Sequence, residues 1–385
     1  MALMGLFGKK RVTESFFVNS YGNDQTRGIY TFQVDIENGE ILYKKHFKTP
    51  SDPVYSFNYG RFVCVTYKNR TGTSGDGGIC SYAATADILA LVSRISDKGK
   101  TYMHACANGD HETADKLYAV DYYNGEIMVA KIDKKKLVAP IFNYKLEGHS
   151  IDPKRQNQPH PHFVDFTPDG KRLIVVDLGL DKVLLFKMEA KEIILDEEHS
   201  FDLEPGSGPK KIMFNQAGTI AYVLNEPGCG PKKMIFNQKG DRAYVMNELN
   251  STICVYKYND LKFELIQTID TYPKDEYDEP SLAGQMLFSE KEERIFVTNR
   301  GHDSLALFLV DQETGLLTYK DFVDTSPNAR DIAIFKDRWI VAVCQKGGVV
   351  ESYEYRDERG GMLFETKYSY LVSEPVCITK FETIY

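Results

Sequence analysis

Eight side chains stand where their types and spacing could do acid–base or anion-binding chemistry: His160, His162, Lys210, Lys232, Glu248, Arg300, His302 and Arg330. His160 and His162 are two residues apart, so in a strand both point to one face. There they could act as a general base or hydrogen-bond a ligand. The alternative is that they cap a strand start after Pro159. A His-x-His pair can also chelate, but no further His or Cys cluster has metal spacing, so no metal is expected. Glu248, in Asn247-Glu248-Leu249, ends an apolar run where a carboxylate beside cations could take or give a proton, or form a loop ion pair. Arg300 sits in the run NRGHDS with His302 two residues on. Its guanidinium can fork onto two oxygens of a phosphate or an oxyanion, unless Arg300 and Asp303 only brace a turn. Arg330 opens the next apolar run, and Lys210 and Lys232 hold matching places in two similar segments. No GxSxG or P-loop is present, and Gly206-Ser207-Gly208 reads as a turn.

The elements that must position these groups are strands. Aromatic residues are 12% of the 385, with 24 Tyr, 22 Phe and 29 Gly, which favours strands and turns over helical bundles. The stretch Ala84 to Ser93 is the best helical candidate. Charged residues are 26% and hydrophobic residues 42%, a globular composition. Lys+Arg 47 against Asp+Glu 55 gives −8, which argues against a general nucleic-acid surface but leaves room for a local basic pocket and an anionic small-molecule substrate. No run approaches the roughly 18 apolar residues of a membrane span. The N-terminal MALMGLFGKKRV does not have the form of a signal peptide. The seven cysteines are scattered through apolar runs without CxxC, as expected of buried reduced thiols. A cytoplasmic protein without membrane contact is expected, monomeric or weakly homo-oligomeric.

Length alone suggests two or three domains at roughly 150 residues each. The internal repeats override that reading. In HPHFVDFTPDGKRLIVVDLGLDKVLLFKM an apolar run ends at Phe166, Pro168-Asp169-Gly170 turns the chain, and runs from Arg172 to Asp177 and Lys182 to Met188 come next. The Asp-Gly pair supplies the positive φ of a tight hairpin. The unit returns from Met286 and from Ile332, and more weakly near Pro53, Tyr102 and Pro231. Such four-strand units at roughly 40- to 60-residue spacing are propeller blades. A seventh blade comes from the ends: Glu374 to Phe381 supplies one strand, and Ser15 to Tyr21, Gly28 to Asp35 and Glu40 to Phe47 supply three. The expected fold is all-β, one domain over 1–385, a seven-bladed β-propeller closed by pairing of N- and C-terminal strands.

One segment exceeds this count. Pro205 to Glu226 is followed at once by Pro227 to Glu248, with 15 of 22 positions identical. This is a hairpin duplicated without the outer two strands of a blade. The second copy runs directly into STICVYKY and is expected to be the one built into a blade, with the first a displaced extra hairpin.

The segments HPHFVDFTPDGKRLIVVDLGLDKVLLF, GPKKMIFNQKGDRAYVMNELNSTICVYKY and RIFVTNRGHDSLALF closely resemble the bacterial propeller lactonase family. Its members are usually described as 6-phosphogluconolactonases, and the fungal carboxymuconate-lactonising enzyme is a relative on the same fold. The resemblance implies hydrolysis of 6-phosphogluconolactone to 6-phosphogluconate, a step of the pentose phosphate pathway, with no required metal or cofactor. It implies a site at one mouth of the central channel, with His160, His162, Glu248 and Arg300 as catalytic residues. Lys232, His302, Arg330 and Lys210 would bind substrate. Lactone hydrolysis needs an activated water, a stabilised oxyanion and a protonated leaving alkoxide, and a phosphate needs cations. Two departures stand out. The family pattern Gly-Pro-Arg-His reads Gly-Pro-Lys-Lys in both copies here, and a family Glu and His are replaced where this chain has Gln285-Met286-Leu287. A non-catalytic propeller that binds a ligand or protein, or a lactonising enzyme, would use the same scaffold.

Overall fold

The computed structural model describes residues 11–49, 51–59, 62–68, 76–84, 89–109, 113–134, 136–189, 191–214, 221–225, 230–259, 262–277, 279–357 and 361–380. Among these the chain is almost entirely strands, with one short 3-10 turn at Lys274–Glu276. They form seven sheets of at least four strands and one two-stranded hairpin, every described pairing antiparallel between neighbours.

Blade 1 runs Asp52–Tyr59, Phe62–Lys68, Asp76–Ala84 and Leu89–Lys98. Blade 2 runs Tyr102–Ala107, Lys116–Asp121, Glu126–Asp133 and Lys136–Lys145. Blade 3 runs Pro161–Phe166, Arg172–Asp177, Lys182–Met188 and Ile193–Leu195, with Phe201–Asp202 also on its third strand. Blade 4 runs Pro231–Phe236, Arg242–Asn247, Thr252–Asn259 and Lys262–Asp270. Blade 5 runs Leu282–Phe288, Arg294–Arg300, Ser304–Val310 and Leu317–Asp324. Blade 6 runs Ala329–Phe335, Trp339–Cys344, Val349–Arg356 and Met362–Leu371. Blade 7 takes Pro375–Lys380 first, then Thr13–Ser20, Gly28–Asp35 and Ile41–Lys48. The two ends of the chain therefore share one sheet, paired Phe16 to Lys380 through Ser20 to Pro375. This is the pairing expected from the sequence, with Phe381 outside the described residues.

Alternation puts apolar side chains between blades. Phe16, Phe32 and Val34 of blade 7 pack with Phe335, Trp339 and Val341 of blade 6. The same arrangement recurs between blades 5 and 6, where Phe296 and Leu307 meet Ile340 and Ala342. The expected Asp-Gly turn is present, with Gly170 at φ 69° and Gly240, its counterpart in blade 4, at 70°.

One expectation is corrected. Ala84 to Ser93 is not helical in its described part: Tyr82 pairs Leu91 and Ala83 pairs Ala90 in blade 1, and 85–88 lie outside the described residues. Pairing with a completed neighbour overrides local helix propensity. The first hairpin copy, Pro209–Phe214 with Ala221–Asn225, forms a two-stranded sheet of its own, apart from the four strands of blade 4. It stands between blades 3 and 4. Its Ile212 packs with Phe163, Ile174 and Val176 of blade 3, and its Met213 against Met234, Ala243 and Val245 of blade 4. The second copy forms the inner half of blade 4, as expected.

The six described cysteines form no disulfide with one another, and four of them are buried; Cys229 and the first ten residues lie outside the described residues. No described helix is long and apolar enough to cross a membrane.

Candidate active site

The inner strands open on bulges. The register slips between Pro53 and Tyr55, Tyr102 and His104, Pro161 and Phe163, Pro209 and Lys211, and Pro231 and Lys233. It slips again between Ala283 and Met286, and between Ala329 and Asp331. Proline at several of these starts has no N–H to give the ladder, and a bulge re-aims the side chain beside it. Four of the eight candidate residues, His162, Lys210, Lys232 and Arg330, occupy this one bulge position in four different inner strands. The starts of the inner strands all lie at one end of the repeat, so these side chains share that end.

Glu248 follows the second strand of blade 4. Its N–H donates to the Gly230 carbonyl at 2.8 Å and its own carbonyl accepts from Ala283 N–H at 3.2 Å, tying blade 4 to blade 5. Gly230 has φ 64°, and a Cβ there would meet Leu249 at 2.5 Å, so glycine permits this turn. On the Glu248 carboxylate, Oε1 accepts from Lys232 Nζ at 3.2 Å and from Arg300 Nη2. Arg300 Nη2 also lies 3.3 Å from the Ala283 carbonyl, while its Nε is buried with no partner among the described residues. Arg330 donates to Gln345 Oε1 at 2.8 Å and lies over the Tyr21 ring at 5.8 Å. Its charge is close enough to depress Lys232.

The charge states follow from this crowding. Burial first, then Arg300, pulls Lys232 down to about 8, against the pull of Glu248. The Lys232 side chain is nevertheless 34% exposed, so it is enclosed by protein yet reachable by water. Burial raises Glu248, but Lys232 and Arg300 outweigh it and hold the carboxyl below its ordinary value. Two cations, Lys232 and Arg300, thus hold one carboxylate.

The other candidates divide. His160 is buried, its N–H donating to Asp177 Oδ1 at 2.9 Å, and its Nδ1 lies 2.9 Å from the Tyr122 carbonyl. It stacks on Tyr122 at 4.5 Å. This geometry matches the strand-capping alternative. Asp177 also accepts from Gly179 and Leu180 N–H, yet burial dominates and pushes it up to about 7. His162, at the bulge, meets the same Tyr122 ring edge-on at 6.1 Å. His302 lies among Tyr272, Tyr277 and Phe322 and shares a 2.7 Å hydrogen bond with Ser304, away from the Glu248 group. The turn is braced by Asp303, which accepts from Gly301 and Asn328 N–H, and not by Arg300. Lys210 stands at the bulge of the first hairpin copy.

The sequence reading missed the residues beside the bulges: His104, Lys211, Lys233, Gln285 and Asp331. Superposing the inner-strand starts of the repeats would have found them. It also saw no metal-like cluster, whereas Asp196, Glu198 and His199 bring ligand atoms within 4.8 Å of one another. Arg172 at 2.6 Å and Lys187 at 3.9 Å already hold Asp196, which disfavours a cation there.

Three comparisons bear on this arrangement. A family model described as lactonase, 7-bladed beta-propeller, matches residues 15–227 and 225–380. The two stretches meet where the first hairpin copy gives way to the second. The chain is 26% identical over 376 residues to the 6-phosphogluconolactonase of Bacillus subtilis, covering 94% of this chain and 97% of that one. A solved Bacteroides fragilis structure, provisionally named a 6-phosphogluconolactonase, is 26% identical with TM-score 0.68, covering 96% and 98%. A periplasmic gluconolactonase of Pseudomonas aeruginosa has the same fold at 21% identity, TM-score 0.69, covering 96% and 99%.

Proposed function

Because the chain belongs to the seven-bladed β-propeller lactonase family, we propose that it hydrolyses a phosphorylated sugar lactone, 6-phosphogluconolactone, to 6-phosphogluconate at the Glu248 site. The observation that carries the reading is one ionised carboxylate held between Lys232 and Arg300 at the end of the inner strands. The substrate class follows the Bacillus subtilis relative.

In this reading Glu248 takes a proton from water as the water oxygen bonds to the lactone carbonyl carbon. Arg300 and Lys232 donate to the carbonyl oxygen as it becomes an oxyanion. The ring C–O bond then breaks, and Glu248 returns the proton to the leaving alkoxide, so no further acid is consumed. Arg330 adds attraction for an anionic ligand. The inner-strand bulges supply Lys232 and Arg330 from rigid backbone, which limits the reorganisation the reaction needs.

The test is the pair kcat and KM for Glu248→Gln on fresh 6-phosphogluconolactone, corrected for spontaneous opening. Loss of the base is expected to lower kcat by about 10²-fold or more. Removal of a negative charge from an anion site is expected to leave KM unchanged or lower. Wild-type kcat in the variant would reject the assignment. A wild-type protein no faster than spontaneous opening would leave a ligand-binding propeller.

A further inference from the structure

Each blade runs its first strand away from the Glu248 group, and its strands alternate in direction. The turns from first to second strand, and from third to outer strand, therefore lie together at the opposite end. There blades 5, 6 and 7 enclose a cavity of about 860 Å³. Lys291 follows the first strand of blade 5, Arg338 that of blade 6, Asp357 the third strand of blade 6 and Glu37 the third strand of blade 7. The volume lies within the roughly 300–1,000 Å³ of small-molecule sites.

Three arginines stand in its wall, each over an aromatic ring: Arg294 over Tyr355 at 4.2 Å, Arg338 over Trp339 at 4.6 Å and Arg356 over Phe364 at 4.5 Å. Stacking fixes the plane of each guanidinium. Arg338 and Arg356 share the buried Glu354: Oε1 accepts from Arg338 at 3.0 and 2.6 Å, and Oε2 from Arg356 at 2.7 Å. Arg294 differs. It is only 8% exposed, yet both its ion pairs run through Nη2, at 3.3 Å to Glu293 and 3.4 Å to Asp357. Both of these carboxylates are exposed, and Asp357 also accepts from the Tyr355 hydroxyl. Arg294 Nε and Nη1 have no partner among the described residues and are not sealed from solvent. Each of its two-oxygen edges is therefore half used. The other carboxylates of the wall do not fill them: Asp337 accepts from Glu290 N–H at 2.6 Å, and Glu37 and Glu290 are exposed.

We infer that this cavity binds a small molecule through a carboxylate or phosphate seated on Arg294, at a site separate from the Glu248 group. Two oxygens of the anion take Nη2 and one unpaired donor beside it, completing one fork. The anion displaces Asp357 or Glu293, whose long, exposed ion pairs contribute little. A nine-tenths-buried guanidinium gains more from a full bidentate partner than from two grazing ones. Lys291, an exposed cation on the same wall, adds attraction. The inference does not depend on the reaction proposed above.

Trp339 is the one tryptophan of the chain and lines this cavity, so tryptophan fluorescence reads this site. The experiment titrates inorganic phosphate and, separately, gluconate into the full chain at constant ionic strength, for wild type, Arg294→Lys, Arg294→Gln and Arg300→Ala. Wild type is expected to show a saturable change with at least one anion, at a Kd of about 1 mM or below. Which anion gives it distinguishes a phosphate from a carboxylate ligand. Arg294→Lys keeps the charge but loses the fork, and is expected to bind about tenfold more weakly. Arg294→Gln is expected to lose the response with its circular dichroism unchanged; if that variant does not fold, Arg294→Lys carries the test. Arg300→Ala, at the other end of the ring, is expected to respond as wild type does. No saturable change in wild type with either anion, or a wild-type response in Arg294→Lys, overturns the site. A response lost in Arg300→Ala but kept in Arg294→Lys gives the anion to the Glu248 group and overturns it as well. A protein that hydrolyses no lactone yet shows the Arg294-dependent response keeps this site and rejects the hydrolytic reading.

Discussion

The two hairpin copies are a controlled comparison made by the chain itself. Their inner strands read Pro-Lys-Lys-Ile-Met-Phe and Pro-Lys-Lys-Met-Ile-Phe, and both carry the same bulge. Yet one is half of blade 4 and the other a two-stranded sheet between blades. Local sequence made the hairpin in both cases. The difference lies in the chain on the C-terminal side of each. The second copy continues into Thr252–Asn259 and Lys262–Asp270, which complete the sheet; the first continues into the second. The entry to the first copy is instead pinned to blade 3, where Asp181 accepts from Gly206 and Gly208 N–H at 2.7 Å each. A blade is thus specified by continuity over four strands, whereas a bulge lysine is specified by a few residues.

The largest expected effect that separates the copies is on catalysis. Lys232→Ala removes a cation from Glu248 and from the developing oxyanion, worth about 1.5 to 3 kcal/mol for a charged hydrogen bond. That is roughly one to two orders of magnitude in kcat/KM. Lys210→Ala is expected to stay within about threefold, because Lys232 and not Lys210 reaches Glu248. Equal losses in steady-state assays of the two variants would show that both copies reach the reacting centre.

A smaller effect sharpens the role of Lys232. With its folded pKa near 8, the protonated form is lost as pH rises through that value, so kcat/KM should fall on the alkaline side near pH 8. Glu248 must be ionised, so the acid limb should lie below the ordinary glutamate range. Lys232→Arg keeps its charge throughout and restores bidentate geometry. It is expected to be neutral or activating at about pH 7 and to move the alkaline limb upward. A limb unchanged by Lys232→Arg would assign it to another group.

The smallest expected effect is on stability. Excising 205–226 joins Glu204 to Pro227, another Pro-Gly, and brings the blade 3 face of Phe163 and Val176 towards the blade 4 face of Met234 and Val245. The excised chain is expected to keep its β-sheet circular dichroism, with Tm changed by less than about 5 °C. Loss of cooperative unfolding would make the first hairpin copy an integral part of the ring.

Much of this was legible in the sequence because strands and turns carry local signals. The Asp169-Gly170 turn, the repeated apolar runs and the strands near the two termini all fell where the repeat placed them. Ala84 to Ser93 misled because an alanine-rich apolar run has no local mark of the strand partner that decides it. The bulge between Pro161 and Phe163 was not legible, because period-two reasoning assumes an unbroken ladder. Glu248, Lys232, Arg300 and Arg330 were found one at a time by residue type. Their convergence depends on contacts between blades, which no single repeat encodes.

The most direct test of the central claim is the hydrolysis rate of fresh 6-phosphogluconolactone by wild type and Arg300→Ala, measured side by side at about pH 7 and corrected for spontaneous opening. Arg300 carries the charge of blade 5 onto the Glu248 carboxylate of blade 4. The account predicts clear wild-type turnover and a loss of about one to two orders of magnitude in the variant, with the fold intact by circular dichroism. Equal rates for the two proteins would contradict it.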